Sequence, residues 1–100
     1  MRVFACSTLK KFWEVEDAQA EQPMRAWFKE AEAADWKNFA DIKQTFNQTD
    51  IVKDRYVFDI GGNKWRIIAQ INFDFHGVLI KWVGHHDDYG RLTLKQIEKL

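Results

Sequence analysis

The stretch Tyr56-Val57-Phe58-Asp59-Ile60-Gly61-Gly62-Asn63-Lys64-Trp65-Arg66-Ile67-Ile68-Ala69 alternates with a period of two on both sides of a turn. Tyr56, Phe58 and Ile60 fall on one face of a first strand. Gly61-Gly62-Asn63 marks the turn, since Gly and Asn tolerate the positive φ that tight hairpins need. The next strand sets Trp65, Ile67, Ala69 and Ile71 on one side and Lys64, Arg66, Ile68 and Gln70 on the other. His76-Gly77 signals a second turn, and Val78 to Val83 reads as a third strand interrupted by Lys81. This half of the chain is an antiparallel meander.

The first half has a different period. Arg2 to Cys6 is short and apolar, as a strand would be. Ser7 is placed to cap a helix in which Leu9, Phe12 and Trp13 form a buried stripe. Pro23 suits a first helical position, where its missing N–H costs nothing. Met24, Trp27, Phe28 and Ala31 then repeat at i, i+3, i+4 and i+7. Asn38 caps a short third helix carrying Phe39, Ile42 and Phe46, with Asp41 in its favourable first turn. Asn47 to Asp50 reads as loop, and Leu92 to Leu100 as a short terminal helix with Thr93 near its start. The predicted order is β-α-α-α-β-β-β-α. This is an α+β arrangement, one domain over residues 1–100, with N-terminal helices packed on the Trp65 face of an antiparallel sheet. The Arg66 face is then free to stay open.

Composition narrows the function classes. A chain of 100 residues buries only about two-thirds of its unfolded surface, and eight Phe, five Trp and two Tyr help to fill its core. Fifteen basic and fifteen acidic side chains cancel, which argues against a general nucleic-acid coat. Residues 1–50 carry seven basic and nine acidic groups, and residues 51–100 carry eight and six, so a local basic patch belongs in the second half. Cys6 is the one cysteine, and it reads as a small buried hydrophobe that requires no oxidising compartment. No apolar stretch is long enough for a membrane span or a signal peptide, so the cytoplasm is the expected location.

Two separated motifs carry the chemistry. One is Phe58-Asp-Ile-Gly-Gly-Asn63-Lys-Trp-Arg66-Ile-Ile, and the other is Ile80-Lys-Trp-Val-Gly84-His-His86-Asp-Asp-Tyr89. Together they resemble the HigB-type toxins of bacterial type II toxin–antitoxin systems, within the wider RelE/ParE-like group. In that pattern Asn63 and Arg66 match the hairpin motif, His86 and Tyr89 match the terminal motif, and Arg91 stands where Lys is usual. His85 replaces the usual Thr, Gly90 the usual Asp, and Trp65 the commoner Tyr.

The resemblance implies an endoribonuclease that cuts mRNA on translating ribosomes and is neutralised by a helix-turn-helix antitoxin of the HigA type. Its reaction is attack of a ribose 2′-OH on the adjacent phosphate, which requires a base, an acid and positive charge at the phosphorane. Arg66, His86 and Tyr89 are the implied catalytic residues. Arg66 grips phosphate with its planar fork, His86 exchanges a proton near neutral pH, and Tyr89 donates a proton or stacks on a base. Asn63, Lys64, Lys81 and Arg91 are the implied RNA-binding residues. No metal or other cofactor is implied. His85-His86-Asp87-Asp88 superficially offers metal ligands, but adjacent residues rarely supply several to one ion.

Without the resemblance each residue has a plainer reading. Arg66 is a solvated charge or an ion-pair partner, His86 a strand-end cap, and Tyr89 an anchor for the last helix. A rival function is that of a ParE-like toxin inhibiting a protein target such as gyrase without catalysis. The grouping of a titratable imidazole with cations favours the nuclease.

Overall fold

The hairpin forms where the alternation places it. A computed structural model describes residues 1–100. In it Arg55–Ile60 pairs with Trp65–Asn72 in the register Phe58↔Ile67, Asp59↔Arg66 and Ile60↔Trp65. Gly61, Gly62 and Asn63 all take positive φ, at 64°, 63° and 79°. Gly61 has a second reason to lack a side chain, because a Cβ there would lie 2.3 Å from the Trp65 ring. The turn therefore fixes Asp59 opposite Arg66.

Numbered in chain order, the strands are β1 (Arg2–Phe4), β2 (Asp50–Val52), β3 (Arg55–Ile60), β4 (Trp65–Asn72) and β5 (Gly77–His85), in the sheet order β1-β5-β4-β3-β2. The expected meander β3–β4–β5 is antiparallel, and the sheet as a whole is mixed. β1 joins the edge of β5 in parallel, with Arg2 beside Gly77 and Phe4 beside Leu79. The connection from the first strand holds three helices, and a parallel neighbour needs such a long crossover.

β2 falls partly in the segment read as loop. It pairs antiparallel with β3 through Lys53 and Asp54, whose φ values are 51° and 62°. Two successive positive φ values build a tight hairpin, but Lys-Asp lacks the Gly or Asn that would have announced it. The β4–β5 ladder slips between Ile68, which faces Trp82, and Ala69, which faces Ile80, so Lys81 is the extra residue of a bulge.

The helices are α1 (Cys6–Val15), α2 (Glu21–Ala33), α3 (Phe39–Thr45), α4 (His86–Gly90) and α5 (Leu94–Glu98), with a 3-10 turn at Ala18–Ala20. α1 starts earlier than expected and Ser7 does not cap it. Ala5 precedes the helix with a left-handed φ of 67°, and no side chain caps that end. Pro23 is the third residue of α2, still in the first turn, where its missing N–H is harmless. Asn38 does cap α3, accepting from the Asp41 N–H at 3.0 Å. Thr93 and Gln96 form a reciprocal capping box at α5.

The core lies between α1–α3 and the Trp65 face of the sheet. Leu9, Phe12, Met24, Trp27, Ala31, Ile42, Phe58, Trp65 and Ile67 are all buried there. Trp27, Trp36, Phe46 and Phe58 form an aromatic cluster with ring centroids 5.2–6.3 Å apart.

The opposite face is not open. Val57, Ile68 and Ile97 are buried on it, with Val52, Trp82, Tyr89, Leu92 and Leu100 packed against them. The short α5 accounts for this cover, since Ile97 buries itself against the apolar Val57 and Ile68 on that face. No helix is long and apolar enough to cross a membrane.

Candidate active site

Arg66 is 8% exposed, although a side chain on an open sheet face was expected. Asp59 stands beside it in β3, and Asn63 begins the return from the turn. Gly84 faces it in β5, where a Cβ would come within 2.5 Å of the Trp82 ring. α4 follows directly from β5 and brings His86 and Tyr89 over the guanidinium. The His86 N–H donates to the Lys64 carbonyl at 2.9 Å, which ties the start of α4 to the hairpin turn.

All five guanidinium N–H groups of Arg66 have acceptors within the protein. Nε donates to Asp59 Oδ1 at 2.8 Å. One terminal nitrogen donates to the carbonyls of Trp65 and Asn63 at 3.3 and 3.4 Å. The other donates to Asn63 Oδ1 at 2.5 Å and faces His86 Nδ1 at 2.9 Å. Arginine has no acceptor, so His86 Nδ1 must accept that bond. The imidazole is thereby set as the neutral tautomer with its proton on Nε2, at an exposed position.

Tyr89 closes the cluster. Its ring centroid lies 5.6 Å from the Arg66 guanidinium carbon, a cation–π contact, and 6.3 Å from the Trp82 ring. Burial raises the Tyr89 pKa above the ordinary phenol value, and the nearby Asp50 and Asp59 carboxylates add to the rise while Arg66 opposes it. The hydroxyl therefore keeps its proton at neutral pH, and Tyr89 is a donor there.

Of the seven residues singled out from the sequence, Asn63, Arg66, His86 and Tyr89 meet at one place. Lys64 joins them through its backbone carbonyl, while its ammonium lies 5.8 Å from the Trp65 ring. Arg91 is three-quarters exposed and pairs with Asp88 at 2.8 Å. Lys81 sits in the bulge, three residues from Gly84, or about 10 Å along the strand.

Asp59 was missed. Its signal was present, because the hairpin register set by the Gly-Gly-Asn turn puts it opposite Arg66. Asp59 neutralises Arg66, so the site is less cationic than the sequence implied. His85 points elsewhere from His86: its Nε2 is 3.1 Å from Asp17 and its Nδ1 is 3.6 Å from Asp88. The two imidazoles thus do not converge on one point.

The α+β fold, with helices on a five-stranded mixed sheet, is consistent with that of the RelE-like toxins. Residues 20–92 match the HigB toxin family, the RelE-like toxic component of a toxin–antitoxin system, and the chain belongs to that family. It is also similar to a protein named mRNA interferase HigB from Escherichia coli O6:H1 (strain CFT073), with 36% identity over 62 residues. That alignment covers 59% of this chain and 60% of the relative, so the two are matched over little more than half their lengths.

Proposed function

We propose that this chain is an endoribonuclease that cuts mRNA through Arg66, His86 and Tyr89. The observation that carries the reading is the Arg66–His86–Tyr89 cluster, in which a buried guanidinium holds an exposed imidazole and lies against a protonated phenol. A family match to toxins and a relative named for mRNA interference support it.

In the reaction the 2′-oxygen bonds to phosphorus, its proton passes to a base, and the 5′-oxygen leaves with a proton from an acid. The products are a 2′,3′-cyclic phosphate and a 5′-OH. In the resting geometry His86 Nε2–H and the Tyr89 hydroxyl both donate. His86 becomes a base only when Nδ1 is released. A scissile phosphate competing for the Arg66 N–H would release it, so substrate binding and creation of the base are one event. The bonds from the other terminal nitrogen to the Trp65 and Asn63 carbonyls, at 3.3 and 3.4 Å, are the longest Arg66 makes, so a second phosphate oxygen can take that nitrogen while the first displaces His86. Lys64 and Arg91 hold flanking phosphates. The reading needs no metal, because a guanidinium already supplies charge at the phosphate.

The substrate is mRNA on the translating ribosome, the location is the cytoplasm, and the neutralising partner is a helix-turn-helix antitoxin of the HigA type. Single-turnover cleavage of mRNA on purified ribosome complexes tests the activity, with Arg66→Ala, His86→Ala and Tyr89→Phe in parallel. Coexpression with the neighbouring reading frame tests the partner: growth should recover, and the copurified toxin should melt at a higher temperature than the free toxin. Cleavage at the parental rate by all three variants would remove the assignment.

A further inference from the structure

The residue before His86 is held from both sides. His85 ends β5 opposite Trp65, and its ring lies 5.3 Å from Phe12, on the helix-packed side of the sheet. Its Nε2 donates to Asp17 Oδ2 at 3.1 Å. The same oxygen accepts the Trp65 indole N–H at 3.1 Å, and the other Asp17 oxygen accepts the Gln19 N–H at 3.0 Å as the cap of the 3-10 turn. His85 Nδ1 faces Asp88 Oδ2 at 3.6 Å, and Asp88 Oδ1 accepts from Arg91 at 2.8 Å. A chain of polar contacts thus runs from Trp65 through Asp17, His85 and Asp88 to Arg91. It joins the turn after α1 to the first turn of α4.

His85 is both the last residue of β5 and the residue that precedes α4, in extended backbone. Anchoring its ring on the helix-packed side therefore fixes where α4 leaves the sheet, and with it the approach of His86 to Arg66. α4 is only five residues long and buries none of them, so its own packing holds it weakly. The Asp17–His85–Asp88 bridge supplies a tether at the first turn of α4.

We propose that His85 is a positioning residue, bridged by Asp17 and Asp88 so that His86 Nδ1 meets Arg66 and Tyr89 lies over the guanidinium. His85 touches no reacting atom. The effect on rate rests on the RNA-cleavage reading, and the placement of His86 does not.

The test uses the full chain and ribosome-bound mRNA, with His85→Ala, His85→Gln, Asp17→Asn and the His85→Ala/Asp17→Asn double variant. Displacing a catalytic group by about 1 Å costs on the order of a hundredfold in rate. His85→Ala and Asp17→Asn should each lower kcat by roughly ten- to a hundredfold, with KM little changed. The double variant should be no worse than the poorer single one, because both remove the same tether. His85→Gln keeps an N–H for Asp17 and should recover most of the rate.

The second readout needs no substrate. Ring-nitrogen NMR should show His86 Nδ1 losing the Arg66 bond in His85→Ala while the remaining amide spectrum stays folded. Parental kcat in all variants overturns the proposal. So does an unchanged His86 Nδ1 signal in His85→Ala, or a rate loss that follows melting temperature alone and is not recovered by His85→Gln. If the parental protein cleaves no RNA, the cleavage reading fails, and the His86 signal still decides the placement.

Discussion

Arg66 donates an N–H to His86 Nδ1 at 2.9 Å, and this bond defines the resting state of the site. The acceptor role fixes the imidazole tautomer, and the short distance couples the only buried charged side chain to an exposed candidate proton carrier. The remaining four N–H groups of the guanidinium are spent on Asp59, Asn63 and Trp65. A phosphate that takes any of them must offer a better acceptor, and its full charge does so.

Arg66→Ala should abolish cleavage and also destabilise the fold. Removing the guanidinium strands Asp59 without its partner and opens a space beneath Tyr89. The expected cost is about 1–3 kcal/mol, read from urea unfolding. Arg66→Lys should recover part of the stability but little activity, since an ammonium cannot reproduce the fork. An Arg66→Ala variant with parental stability would mean that the buried contacts carry no energy.

Tyr89→Phe keeps the ring against Trp82 and over the guanidinium and removes only the hydroxyl. If that hydroxyl is the acid, single-turnover cleavage should fall on the order of a hundred- to ten-thousandfold while ribosome binding is retained. With the phenol pKa raised by burial, any loss of parental cleavage from Tyr89 ionisation should come at higher pH than for an ordinary tyrosine, whose pKa is about 10. Parental rates in Tyr89→Phe beside a dead Tyr89→Ala would make the ring a stacking or packing group.

How much of this was legible in the sequence depends on the range of the interaction. The hairpin turn was readable because Gly61, Gly62 and Asn63 announce positive φ locally. The face carrying Trp65 was readable from alternation. The cover on the Arg66 face was not, because Ile97 meets Ile68 across 29 residues of chain and no local pattern encodes it. The parallel edge made by β1 has the same origin, with Phe4 beside Leu79. Asn63, Arg66, His86 and Tyr89 were placed together by motif. Asp17 was invisible, since its contact with His85 spans 68 positions.

Asp17 gives a prediction in pH. Burial alone raises its carboxyl, but the Trp65 indole, the Gln19 amide and His85 together lower its pKa below the ordinary carboxylate value. A depressed folded pKa contributes stability that is complete above the unfolded value, about 3.9, and is lost as pH falls through the lower folded value. Urea midpoints of the parental protein should therefore fall more steeply below about pH 4 than those of Asp17→Asn. Identical acid limbs would mean that the three donors do not stabilise the carboxylate.

The proposed cutting of mRNA at the Arg66–His86–Tyr89 cluster would leave a 5′-hydroxyl at each cut. Induction in cells followed by mapping of mRNA 5′ ends addresses it directly, with Arg66→Lys as the matched control. New 5′-hydroxyl ends should appear inside coding regions within minutes of induction and be absent with the control. Growth arrest with intact transcripts and double-strand DNA breaks would contradict it and assign the toxin a gyrase-like protein target.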